Sequence, residues 1–107
     1  MIISLIILFF AGAFLCNCIP HFVSGLQGRP FPTPFAKPPG VGDSSPVVNF
    51  LWGFFNLVIG LALFIRQPLT VHLYANLTAL LIGVLVMGLQ GSSHFGKVQR
   101  SKSTDRV

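Results

Sequence analysis

Three stretches of this chain, residues 2–19, 47–65 and 69–90, contain no Asp, Glu, Lys or Arg. An α-helix rises about 1.5 Å per residue and a bilayer core is about 30 Å thick, so runs of roughly twenty such residues are long enough to span it. The apolar residues come in blocks rather than as the amphipathic stripes of a soluble helix. Only 8% of residues are charged, against the quarter usual for a soluble domain, and mean hydropathy is +0.77. The sequence therefore predicts an all-α membrane protein, a single membrane domain with three transmembrane helices over 2–19, 47–66 and 69–90, joined by a Pro/Gly-rich loop over 20–46 and followed by a basic polar tail over 91–107.

Local signals set those limits. Pro20 cannot donate a backbone hydrogen bond and restricts the residue before it, which predicts a first helix ending at Ile19. No basic residue precedes this block and no small-residue cleavage site follows it, as a secretory signal would require, and Phe14 and Leu15 stand before Cys16 where a lipoprotein signal needs small residues. An uncleaved first span is expected. The loop, with Arg29-Pro30-Phe31-Pro32-Thr33-Pro34-Phe35 and Lys37-Pro38-Pro39-Gly40, reads as extended chain broken by glycine turns, its phenylalanines lying on headgroups or helix ends. Asp43-Ser44-Ser45-Pro46 is a helix start, with serine as cap and proline where its missing N–H costs nothing. Gly91-Ser92-Ser93 predicts the end of the third helix and a disordered tail.

Three spans put the loop and the tail on one side of the membrane. Arg29, Lys37, Lys97, Arg100, Lys102 and Arg106 lie there, with Arg66 alone opposite. Positive charge is retained in the cytoplasm, which predicts an outside N-terminus and a cytoplasmic loop and tail. The charge distribution points to lipid contact and orientation, not to nucleic acid, although net charge is +5.

Asn49, Gly53, Asn56 and Gly60 recur on one face of the second span, and His72, Asn76, Ala79 and Gly83 repeat the spacing on the third. Polar side chains at membrane depth normally face another helix. With a turn centred on Arg66, Gly60 falls opposite His72, Asn56 opposite Asn76, Gly53 opposite Ala79 and Asn49 opposite Gly83. That register predicts an antiparallel hairpin of the second and third helices, with Asn56 and Asn76 hydrogen-bonded near the midplane.

Catalytic machinery is scarce: the chain has no Glu, and its Asp residues lie in the loop and the tail. Cys16, Cys18 and His21 are the one group of soft metal donors, weak as a site because two cysteines at a helix end more often pack than ligate. No cofactor is expected. The segments Pro20-His21-Phe22, residues 28–40, Ser44-Ser45-Pro46 and Asn49-Phe50-Leu51-Trp52-Gly53 resemble small uncharacterised bacterial inner-membrane proteins over about the central third of the chain. The resemblance implies a bacterial inner membrane and transfers no activity or site residue. Two functional classes follow. The first is a non-enzymatic accessory or interaction component of a larger membrane assembly; the second is a homo-oligomeric channel or transport element using the polar stripes. Metal or redox chemistry at Cys16, Cys18 and His21 is the distant third.

Overall fold

A computed structural model describes residues 1–68 and 70–105, the last two of these, Thr104 and Asp105, by backbone alone. It contains α1 (Ile2–Leu26), β1 (Phe31–Pro32), β2 (Asp43–Ser44), α2 (Pro46–Ile65) and α3 (Leu73–Asp105). The three helices are each long and apolar enough to cross a membrane.

α1 runs through Pro20 and ends seven residues after Ile19, which corrects the predicted boundary. Its stop signal is Gly28. Arg29 N–H bonds to Ser24 O at 2.9 Å and Gly28 N–H to Gly25 O at 3.1 Å, with Gly28 at φ 71°. This is a Schellman ending, which needs a residue free to enter the left-handed region. The residues gained beyond Pro20 carry His21, Phe22 and Gly25, all of which meet α2 or its approach, and that packing outweighs one lost helical hydrogen bond.

α2 begins as its sequence suggests. Ser45, in extended geometry, accepts Val48 N–H at 3.2 Å, and Pro46 occupies the first turn. α3 starts at Leu73 rather than residue 69, after His72 at φ 55°, and Asn76 Nδ2 closes the start by donating to Val71 O at 2.9 Å. Leu69 lies outside the described residues. At the other end α3 passes through Gly91-Ser92-Ser93 and continues to Asp105, so the expected disordered tail is helical as far as it is described, with Arg106 and Val107 outside the described residues. Thirty-three residues extend about 50 Å at helical rise, well beyond the hydrocarbon core. The end of α3 that bears His94 and Lys102 lies beside the loop.

The helices assemble around α1. On one side Gly60 faces Leu15, Asn56 faces Asn17 and Gly53 faces Phe22, so α2 runs antiparallel to α1. On the other, Gly83 meets Phe9 and Ala13, Gly12 meets Leu80 and Val84, and Gly88 faces Cys16, so α3 runs parallel to α1. α2 and α3 have only marginal contact with each other. The predicted hairpin pairs are therefore not partners in the structure: the α2 stripe lies on α1, and of the α3 stripe Gly83 does. α1 carries small residues of its own, Ala11, Gly12 and Ala13, all buried, and Gly12 and Ala13 let the backbone of α3 approach closely.

The α1–α3 seam is the tightest. A methyl at Gly83 would collide with Phe9 O, and one at Gly12 with Leu80 O, both backbone atoms that cannot swing aside. A methyl at Gly88 would rest 3.7 Å from Cys16 Sγ, an ordinary contact. Gly83→Ala is expected to destabilise the bundle by about 1–3 kcal/mol, with Gly88→Ala near neutral, as read from unfolding in mixed micelles of mild detergent and SDS. Equal stability of the two variants would rule out this seam.

Candidate binding chamber beneath the loop

Asn49 joins the helices to the loop. Its side chain is fully buried, and its Nδ2 faces three carbonyls, Phe31 O at 2.9 Å and Ser44 O and Ser45 O at 3.1 Å each. An oxygen in that position would be repelled, so the amide orientation follows and Oδ1 is the atom that meets His21 Nδ1 at 2.8 Å. His21 Nδ1 must then carry the proton and donate. In the neutral ring, Nε2 holds the lone pair.

Held this way, β1 pairs antiparallel with β2, Phe31 opposite Ser44 and Pro32 opposite Asp43. Thr33, buried, exchanges a hydroxyl hydrogen bond with Ser44, accepts Phe35 N–H at 3.2 Å on its side chain, and accepts Gly40 N–H at 2.9 Å on its carbonyl. The α3 extension closes the loop from outside: His94 Nε2 donates to Gly40 O at 2.7 Å, and Lys102 pairs with Asp43 at 2.8 Å. Gly40 has φ 71°, and a side chain there would press on His94, so glycine suits both demands. The Lys102–Asp43 pair is partly exposed and adds only about 0–1 kcal/mol.

Aromatic rings complete the enclosure. Phe31 packs on Phe95 with centroids 4.7 Å apart, His21 stands edge-on to Phe31 at 5.5 Å, and Phe35 meets Trp52 edge-on at 5.1 Å. Beneath the loop lies a cavity of about 140 Å³ bordered by His21, Thr33, Gly40, His94 and Phe95. Deeper, where α2 and α3 fail to meet, an apolar cleft of about 400 Å³ opens in front of α1, bordered by Phe9, Phe10, Phe14, Val86 and Met87. Asn17, Trp52 and Gln90 line both. No charged side chain lines either one.

The residues singled out from sequence are distributed as follows. Asn49, Gly53, Asn56 and Gly60 are all buried, against α1. Asn56 accepts Asn17 Nδ2 at 3.1 Å and donates to Trp52 O at 2.7 Å, so the predicted Asn56–Asn76 bond is replaced by an Asn17–Asn56 bond. Asn76 is buried at the opposite end of the bundle with Oδ1 unpaired, His72 is exposed in the turn, Ala79 is half-buried, and Gly83 is buried on α1. Cys16 faces α3 whereas His21 faces α2 and β1, and among the described residues no three His, Cys, Asp or Glu side chains stand together as metal donors. The sequence reading missed Asn17, Gln90 and His94 as chamber residues and Gly12 and Gly25 as helix contacts. A signal for part of this was present: Ala13, Asn17, His21 and Gly25 recur every fourth residue on one face of α1, a third stripe that the assumed stop at Pro20 cut in half.

Comparison with family models, curated proteins and solved structures yields no match for this chain.

Removal of the Asn49 amide strands His21 Nδ1–H and frees three carbonyls. Asn49→Leu is expected to cost about 1–3 kcal/mol and to accelerate hydrogen exchange at the amides of Gly40 and Gly42, which bond to Thr33 O and Pro38 O. Unchanged loop exchange in a folded Asn49→Leu protein would mean that the loop is ordered independently of α2.

Proposed function

We propose that this chain is a non-enzymatic accessory component of a larger membrane assembly in the bacterial inner membrane, with its N-terminus outside and its loop and α3 extension in the cytoplasm. The observation that carries this is an apolar shelf where the loop meets α2. Pro34, Phe35, Val48, Leu51, Trp52 and Phe55 border an open hollow of about 550 Å³, and Phe35, Leu51 and Phe55 are each more than half exposed. Lipid can cover the α2 part. The loop part rises beside it, so an occupant covering both spans lipid and headgroup region, as another membrane protein does.

The non-enzymatic reading is supported by the makeup of the enclosed site. The chamber lining contains no carboxylate and no thiol, and its one hydroxyl, on Thr33, is engaged with Ser44. A channel built from the polar stripes has less support, because Asn49 and Asn56 are buried and their amides are engaged within the fold. The orientation rests on the basic residues of the loop and of the α3 extension.

A photoreactive residue at Phe35, in cells, is expected to give one discrete adduct with a larger membrane protein, and the same residue at Leu89, an exposed lipid-facing position, is expected to give none. An adduct only with a second copy of the chain would move the weight to the homo-oligomer. A reporter active only in the cytoplasm, fused after Val107, is expected to be active; silence would reverse the orientation.

A further inference from the structure

We infer that the chamber and the cleft together bind a lipid-soluble ring compound of the quinone or quinol class, the ring beneath the loop and the tail between α2 and α3. Four observations lead there, none of them depending on the accessory role.

The first is size. The cavity beneath the loop, about 140 Å³, is close to the roughly 150 Å³ that accepts a benzene ring in a protein interior. It therefore has room for a single six-membered ring.

The second is charge. A phospholipid head or a nucleotide carries phosphate, and its burial without a cationic partner is strongly unfavourable. The lining of both cavities is neutral. The ligand's head is neutral too.

The third is hydrogen bonding. Trp52 lines both cavities, and its Nε1–H is buried without a partner, an arrangement native structures normally avoid. It calls for an acceptor such as a ring carbonyl or hydroxyl oxygen. His21 supplies the complement: with Nδ1 donating to Asn49, the neutral ring leaves Nε2 as an acceptor for a hydroxyl proton. His94 is set the same way, since its Nε2 donates to Gly40 O and Nδ1 is left to accept. A quinol can serve both kinds of group, and a quinone can satisfy the tryptophan; a hydrocarbon can do neither. The flanking aromatic rings, Trp52 and Phe95 among them, offer faces and edges to a flat ring.

The fourth is access. The apolar cleft adjoins the chamber at Asn17, Trp52 and Gln90, and two of its bordering side chains, Phe10 and Val86, are about half exposed on the lipid-facing surface. An apolar tail enters from the bilayer without crossing water.

Trp52 is the single tryptophan of the chain, so its fluorescence reports on the site alone. The test uses the full-length protein in nanodiscs, titrated with a decyl-substituted benzoquinone and with its reduced quinol, with dioctanoylglycerol as a carbonyl-bearing amphiphile without a ring. Saturable quenching by the quinone is expected, with competition by the quinol and none by dioctanoylglycerol. Gln90→Leu and Val86→Phe change exposed positions at the junction and in the cleft, and each is expected to weaken binding at least tenfold. Leu89→Phe, exposed but outside both cavities, binds as the parent does. Quenching that rises linearly and equally in all four proteins would be collisional and would overturn the proposal. Displacement of the quinone by dioctanoylglycerol would overturn the ring assignment in favour of an ordinary glycerolipid.

Discussion

Everything in this structure depends on how closely α1 can be approached. Lipid tails are as apolar as leucine, so helices in a bilayer gain little from hiding hydrophobic surface in one another and associate instead through close backbone packing and polar contacts. α1 provides both on two sides. Gly12 and Ala13 admit the backbone of α3 at Leu80 and Gly83, and Asn17 and His21 hydrogen-bond to Asn56 and Asn49 of α2. The same helix is therefore the partner of both others, and the consequence is geometric. Two helices set on separate faces of a third leave a cleft between themselves, and the apolar cavity in front of α1 is that cleft.

The loop and the long α3 follow from the same arrangement. A proline-rich segment has few backbone donors and cannot order itself through a sheet of any size, so its order must come from side chains that reach it. Asn49 supplies contacts from α2 and His94 and Lys102 from the far end of α3. The second pair exists only because α3 persists through Gly91-Ser92-Ser93. Gly91, Ser92 and Ser93 are poor helix formers, but helix propensity differs by at most about 1 kcal/mol per residue among them and is readily outweighed by contacts made further along.

The sequence was informative about what a residue needs and less so about which neighbour meets the need. The three spans follow from the lack of charge, and Ser45 with Pro46 marks the start of α2 because capping is local. The burial of Asn49, Gly53, Asn56 and Gly60 is equally a matter of one helix and its periodicity. Their partner is a matter of two helices, and both other helices carry polar and small residues at helical spacing. The register centred on Arg66 satisfied the spacing, yet α1 offers Asn17 and His21 to the same face of α2 and adds two hydrogen bonds between side chains. Taking Pro20 as a helix stop removed His21 and Gly25 from the comparison. In water that rule is sound; in a membrane bundle a proline can remain within a helix when its neighbours hold the chain on both sides, and the true stop was the glycine at 28.

The polar groups are not spread evenly along the bundle. Asn17, His21, Asn49, Trp52, Asn56, Gln90 and His94 gather toward the loop end, and most of the hydrogen-bonding capacity among them is spent on holding the fold. What is left over is informative because so little is left. Trp52, whose buried N–H has no partner, and His21, whose second ring nitrogen is left to accept by the bond to Asn49, both border a space of about 140 Å³ close to an apolar cleft. The unpaired donor is destabilising to keep, and the structure keeps it where a neutral ligand arriving from lipid could satisfy it.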